Sequence, residues 1–151
     1  MNFSPAKPKT RLKLVVFPIQ QVNLALRIEH VQRVIPCPEV LNTGGTAVGI
    51  ITLADRAVPV LDLHQRLYPA HPETAPTHLV LAQTQGGEDY GIPVTETPTL
   101  LEVSLEYIRT LPPSYRRSTT LGLASHVAVV PQEHGSLTIF LLDADQLLNF
   151  N

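Results

Sequence analysis

Gly49-Ile-Ile-Thr-Leu-Ala-Asp-Arg-Ala-Val-Pro-Val-Leu-Asp-Leu63 reads as two apolar strands joined by a polar turn and closed by a Pro-x-x-Asp-Leu corner. The pattern predicts strands over 48–53 and 57–61, and it carries no recognisable catalytic group. Leu63-His-Gln-Arg-Leu67 follows with leucines at i and i+4, the spacing of one short helix. Pro59 and Asp62 form the structural corner. The plain reading of Asp62 is a hydrogen bond from its carboxylate to nearby backbone amides, set against direct contact with a partner. Gly49 admits two readings, a close backbone approach or a simple bulge.

Upstream, Val22, Leu24, Leu26 and Ile28 alternate with Asn23, Ala25, Arg27 and Glu29, a period of two that marks a half-buried strand. Lys13-Leu-Val-Val-Phe17 precedes it, and Pro18-Ile-Gln-Gln21 turns the chain, which predicts an opening hairpin. From Glu29 to Ile35 the period changes. Val31, Val34 and Ile35 stand at i, i+3 and i+4, which predicts one or two helical turns stopped by Pro36 and Pro38.

Downstream, residues 68–77 hold three prolines and read as a surface linker. His78–Thr84 and Tyr90–Val94 flank Gln85-Gly-Gly-Glu88 as a second hairpin, with Pro93 predicting an edge strand or bulge because it lacks an amide donor. Thr99–Val103 is a further strand, and Ser104 is placed to cap one helical turn. The stretch 121–130, a turn at Gln132–Gly135 and the stretch 137–142 close the strands, and Asp143 is placed to cap a final short helix. About ten short strands with brief helices define an all-β architecture of the barrel type. No strict sequence repeat is visible, but two hairpin-rich halves, 12–67 and 78–148, predict two small barrels on one continuous core.

A chain of 151 residues with 44% hydrophobic and 16% charged residues fits one globular domain, which at this size buries roughly 68–70% of its unfolded surface. A net charge of -2 gives no basic excess to hold a phosphate backbone. Cys37 is the single cysteine, which excludes an internal disulfide and suits a reducing cytoplasm. No apolar run approaches the ~18–20 residues that cross a bilayer. Residues 1–10 read as a short flexible tail and 11–151 as the domain.

The histidines at 30, 64, 71, 78, 126 and 134 are scattered without metal-ligand spacing, so no metal site is expected. Cys37 between prolines reads as a packed or exposed thiol. Asp143 and Asp145 read as a cap and a solvated helix residue, and Gly44-Gly45 and Gly86-Gly87 as turn glycines, since no phosphate-loop context surrounds them. Neither a catalytic constellation nor a cofactor site is written here. A small β-barrel enzyme remains only as a remote alternative.

The order and spacing of these segments resemble the CheW family, adaptors that couple bacterial chemoreceptors to a histidine kinase. The resemblance rests on Val31-Gln-Arg-Val34, on Gly49, Leu53, Pro59, Val60, Asp62 and Leu63, on Gly91-Ile-Pro-Val94, on Leu100 to Val103, on Ile108 with Pro112, and on Leu142-Asp143 with Leu147-Leu148. It covers about residues 12–148. It implies two fused five-stranded SH3-like barrels, no enzymatic activity, a cytoplasmic location and two partners. One is the regulatory domain of a CheA-type kinase and the other a methyl-accepting chemoreceptor tip held in a groove. The contact residues it implies are Val31, Val34, Gly49, Ala54, Asp55, Arg56 and Val94.

Ala54-Asp55 stands where the family usually carries Arg-Gly, so a cation common at the partner interface is missing from its place, and Arg56 arises two residues on. That departure favours an alternative with the same fold: an adaptor for a pilus, twitching or phototaxis kinase system that has lost ordinary receptor binding.

Overall fold

The computed structural model describes residues 10–38, 41–42, 48–70, 75–116 and 122–147. The expected tail at 1–9, Gly44-Gly45, His71, Leu121 and Leu148 lie outside these residues. Twelve strands are found among them: β1 (Arg11–Ile19), β2 (Val22–Arg27), β3 (Val31–Pro36), β4 (Leu41–Asn42), β5 (Val48–Leu53), β6 (Arg56–Leu61), β7 (His78–Gln83), β8 (Asp89–Val94), β9 (Thr99–Ser104), β10 (Ile108–Thr110), β11 (Ala124–Gln132) and β12 (Gly135–Leu142). The helices are single turns or little more, α1 (Leu63–Leu67), α2 (Pro113–Arg116) and α3 (Ala144–Leu147), with 3-10 turns at Ile28–His30 and Leu105–Tyr107. The fold is all-β, built from two curled sheets of the SH3-like kind.

One sheet has the order β10-β11-β12-β2-β1-β9 and the other β3-β7-β8-β6-β5-β4. Each is five longer strands plus one short one, β10 with three residues and β4 with two. Curling follows from connectivity. In each sheet the two outermost strands, β9 and β10 or β3 and β4, are consecutive in the chain. A flat sheet of six strands is about 24 Å across, yet the chain from Ser104 to Ile108 advances at most about 14 Å, and from Pro36 to Leu41 about 18 Å. Each sheet must therefore roll until its edges approach.

The boundary between barrels differs from the expected halves 12–67 and 78–148. The second sheet is drawn from 31–94, and the first from 11–27 together with 99–142. The hairpin β1–β2 is inserted between β9 and β12, antiparallel to β9 and parallel to β12 through Asn23↔Ile139, Leu24↔Phe140 and Ala25↔Leu141. Taken from β9, the first sheet runs β9-β1-β2-β12-β11-β10 and matches β3-β7-β8-β6-β5-β4 strand for strand. Both centre on a parallel pair, β2 with β12 and β8 with β6, and in each pair one strand, β12 or β6, runs on through Leu-Asp into a short helix. The barrels are thus circularly permuted versions of one topology.

Three cores result. Phe17, Leu24 and Leu26 of the first sheet meet Val80, Tyr90 and Ile92 of the second in a shared core. Leu14, Val16 and Ile139 fill the first barrel, and Ile51, Val58 and Leu79 the second. The single continuous core expected from sequence is this shared one, with one more inside each barrel. Strand β2 is buried on both faces, since Ala25 enters the first barrel's core while Leu24 and Leu26 enter the shared one.

Two local expectations are corrected. The helix expected over 29–35 is a 3-10 turn followed by β3, whose pairing with β7 shifts register between Val31 and Arg33. Gln32 is the extra residue of a β-bulge. The insertion brings Val31 and Val34 to the face of their partners Ala82 and Val80, and Ile35 to the face of Leu79. A bulged strand here imitates helical spacing. Pro93 does not sit at an edge, because β8 lies between β7 and β6. The pairing of β8 with β6 is confined to Val60↔Gly91, so the missing amide hydrogen falls beyond that ladder.

The β5–β6 turn is two residues long, Leu53 pairs with Arg56, and Ala54 and Asp55 have φ of 48° and 66°. Both central residues at positive φ make the I′ pattern, for which Asn-Gly is preferred and alanine is strained. The double substitution Ala54→Asn/Asp55→Gly is expected to raise unfolding stability by about 0.5–1 kcal/mol, read as a higher urea midpoint at unchanged slope. An unchanged or lower midpoint contradicts it.

Candidate functional site

The corner after β6 is built by Asp62. Its half-buried carboxylate Oδ1 accepts the Gln65 amide at 3.0 Å, and its own carbonyl accepts the Arg66 amide at 3.1 Å, so the residue caps α1. This fixes the direction in which the chain leaves the second sheet. Asp62→Ala is expected to cost about 1 kcal/mol by chemical denaturation, while Asp62→Asn, which keeps an acceptor, is expected to lose less. Pro59 lies beside it in β6, opposite Ile50 of β5. Ile50 is exposed on the outside of this barrel, since its neighbour Ile51 points into the barrel core.

The expected contact residues divide into three groups. Ala54, Asp55 and Arg56 are exposed at the hairpin tip. Val34 is 37% exposed, and Val31, half-buried, leans on the shared core from the same face of β3. Gly49 and Val94 are different. Gly49 is buried within β5, paired with Asn42 on one side and Val60 on the other in regular register, so it is not a bulge. Val94 is 2% exposed and packs in the shared core, so its side chain is closed to a partner.

The sequence reading missed Asp89. Its Oδ1 accepts from Gln83 Nε2 at 2.8 Å and Gln32 Nε2 at 3.3 Å, and its Oδ2 pairs with the Arg56 guanidinium. One carboxylate therefore links β3, β7, β8 and β6, four adjacent strands. The only local hint is an aspartate opening a strand, where that residue type is depleted.

At the other sheet, a cleft of about 510 Å3 is lined mainly by the first barrel, through Arg27, Leu105, His126 and Asp143 among others, with His30 of the connecting turn and Gln85 of the β7–β8 turn at its border. Arg27 pairs with Glu29 at 2.9 Å. The Glu29 backbone amide, and then that guanidinium, hold the Glu29 carboxyl below its ordinary value. His126 Nδ1 lies 2.7 Å from Ser125 Oγ. Among the described residues no three His, Cys, Asp or Glu side chains converge as metal ligands. No helix among them is long and apolar enough to cross a membrane.

Paired β barrels, packed through a shared core and carrying exposed apolar and charged groups on their outer faces, define a docking module. The sequence pattern of the CheW-like domain matches residues 13–150, and the chain belongs to the CheW family. It is a chemotaxis-type scaffold or adaptor, and members of the family are non-enzymatic. Family members generally bind CheA and chemoreceptors. The crystal structure of the scaffolding protein TtCheW from Thermoanaerobacter tengcongensis superposes with a TM-score of 0.74 at 20% identity, covering 93% of this chain and 94% of that one. Among curated proteins there is no sequence match.

Proposed function

We propose that this protein joins a CheA-type histidine kinase to a receptor in the cytoplasm, holding both at once. The observation that carries this reading is the outer surface of the second barrel, where the tip residues Ala54, Asp55 and Arg56 and the strand residue Val34 are exposed on a frame fixed by the shared core. Apolar and polar groups on a rigid frame suit a partner without costing much ordering entropy. The kinase regulatory domain docks on this surface, and the receptor tip in the cleft of the first barrel that Gln85 of the second borders. Two simultaneous contacts raise the local concentration of kinase around receptor, and receptor conformations then bias the kinase through the shared scaffold.

Calorimetric titration with the purified regulatory domain of the CheA-type kinase from the same genome tests this. Saturable binding is expected. Absence of heat together with a blank pull-down, using protein whose fold has been verified, overturns it.

One observation favours a second reading in which the partner system serves pili or phototaxis and ordinary receptor binding is lost. The tip carries Ala54 and Asp55 in place of the family's usual Arg-Gly pair, and the guanidinium of Arg56 is engaged by Asp89. Ala54→Arg/Asp55→Gly separates the two readings: a gain of receptor binding supports loss through the turn, and no gain shows that the turn is not its cause.

A further inference from the structure

The surface residues assigned to docking stand on separate strands. Val31 and Val34 belong to β3, an outer strand of the second sheet, whereas Ala54 and Asp55 form the β5–β6 turn and Arg56 opens β6. Asp89 reaches both places, through Gln32 of β3 and through Arg56. Its side chain is 14% exposed, sits beneath Arg56, and accepts from Gln32 at 3.3 Å as well as from Gln83 at 2.8 Å. Gln32 is the bulged residue, and the bulge is what puts Val31 and Val34 on one face. Arg56 immediately follows the strained turn and is drawn back toward β8. A charge-assisted contact made by a mostly buried carboxylate is directional.

We infer that Asp89 is a positioning residue for partner docking: one carboxylate sets the β3 ridge and the hairpin tip in register with each other and occupies the tip's guanidinium, so that a partner docks without supplying an anion opposite Arg56. The inference rests on the docking reading above. It concerns a residue that touches no partner itself and acts through Gln32 and Arg56. Replacing the carboxylate by a carboxamide of the same shape weakens the Gln32 arm, since a neutral oxygen is a poorer acceptor, breaks the Arg56 arm outright and leaves an unpaired cation at the tip.

The test is calorimetric titration of the kinase regulatory domain into the wild type, Asp89→Asn, Arg56→Gln and the double variant, at low and moderate salt. Asp89→Asn is expected to weaken binding about tenfold, with the double variant no weaker than Asp89→Asn alone, because the two side chains act as one unit. Its binding is also expected to become more salt-dependent, a change that simple loss of stability does not produce. Asp89→Glu, which retains the carboxylate, is expected to recover most of the affinity and guards against a folding defect in Asp89→Asn.

Equal affinity of Asp89→Asn and wild type, or losses at 56 and 89 that simply add, overturns the inference while leaving the docking reading intact. No binding by wild type overturns both. A partner-free measurement stands apart from these: in amide NMR spectra of Asp89→Asn, signals of Gln32–Val34 and Ala54–Arg56 are expected to move together. Shifts confined to Gln83–Asp89 overturn the positioning role whatever the binding shows.

Discussion

Phe17→Ala is expected to remove about 3–5 kcal/mol of stability and to loosen both barrels in one step. The ring is fully buried, and it packs in the core that Leu24 and Leu26 of the first sheet share with Val80, Tyr90 and Ile92 of the second. Truncation leaves a void that rigid strands on both sides cannot close, so the transfer term and the cavity term add. Against a typical total of about 5–15 kcal/mol, such a loss is a large share of what holds the molecule together. Hydrogen exchange reads the result. Protection is expected to fall together at β1–β2 and β12 and at β7–β8. Loss restricted to the first sheet shows that the shared core does not couple the two.

The second large effect separates two valines that sequence reading placed together. Val94→Asp puts a carboxylate at a site 2% exposed within that same core. It is expected to cost about 3 kcal/mol or more, since the charge has no partner there and must be either desolvated or protonated. Val34→Asp stands at 37% exposure on β3. It is expected to change stability by no more than about 1 kcal/mol while weakening the kinase regulatory domain's binding at least about tenfold. Urea denaturation and calorimetry on both variants give the contrast. A folded Val94→Asp that merely loses binding returns Val94 to the contact surface, and a Val34→Asp with normal affinity removes Val34 from it.

These valines show why the site was less legible than the fold. Strands reveal themselves locally: the alternation at 22–28 and the two apolar runs of 49–63 each carry their period within a few residues, and both appear as strands, although Ile28 itself falls in a 3-10 turn. An apolar residue in a strand does not say which side will be covered, because that depends on a sheet assembled from distant parts of the chain. Val31, Val34 and Ile35 misled for a related reason. Insertion of Gln32 changes the period from two to something close to helical, and pattern alone does not distinguish the two.

Long-range features left less trace still. Asp89 gathers side chains from positions 32, 56 and 83, and no spacing rule connects those numbers. The relation between the barrels is hidden because its segments occur in permuted order, so the chain does not align with itself along its length. Leu61-Asp62 and Leu142-Asp143, each leading from a strand into a short helix, are the fragment of that relation written plainly in the sequence. Arg56 illustrates a last kind of blindness. Its charge was readable, but its engagement by a carboxylate 33 positions later was not.

The insertion of β1–β2 between β9 and β12 also sets a timetable for synthesis. Strands of the second sheet occupy one unbroken stretch, 31–94, and can pair as soon as that stretch clears the ribosome. The hairpin made before them must wait for residues 99–104 and 135–142 to find its neighbours. At about 5–20 residues per second, the interval is on the order of ten seconds. During it the leucines of that hairpin lack their final cover.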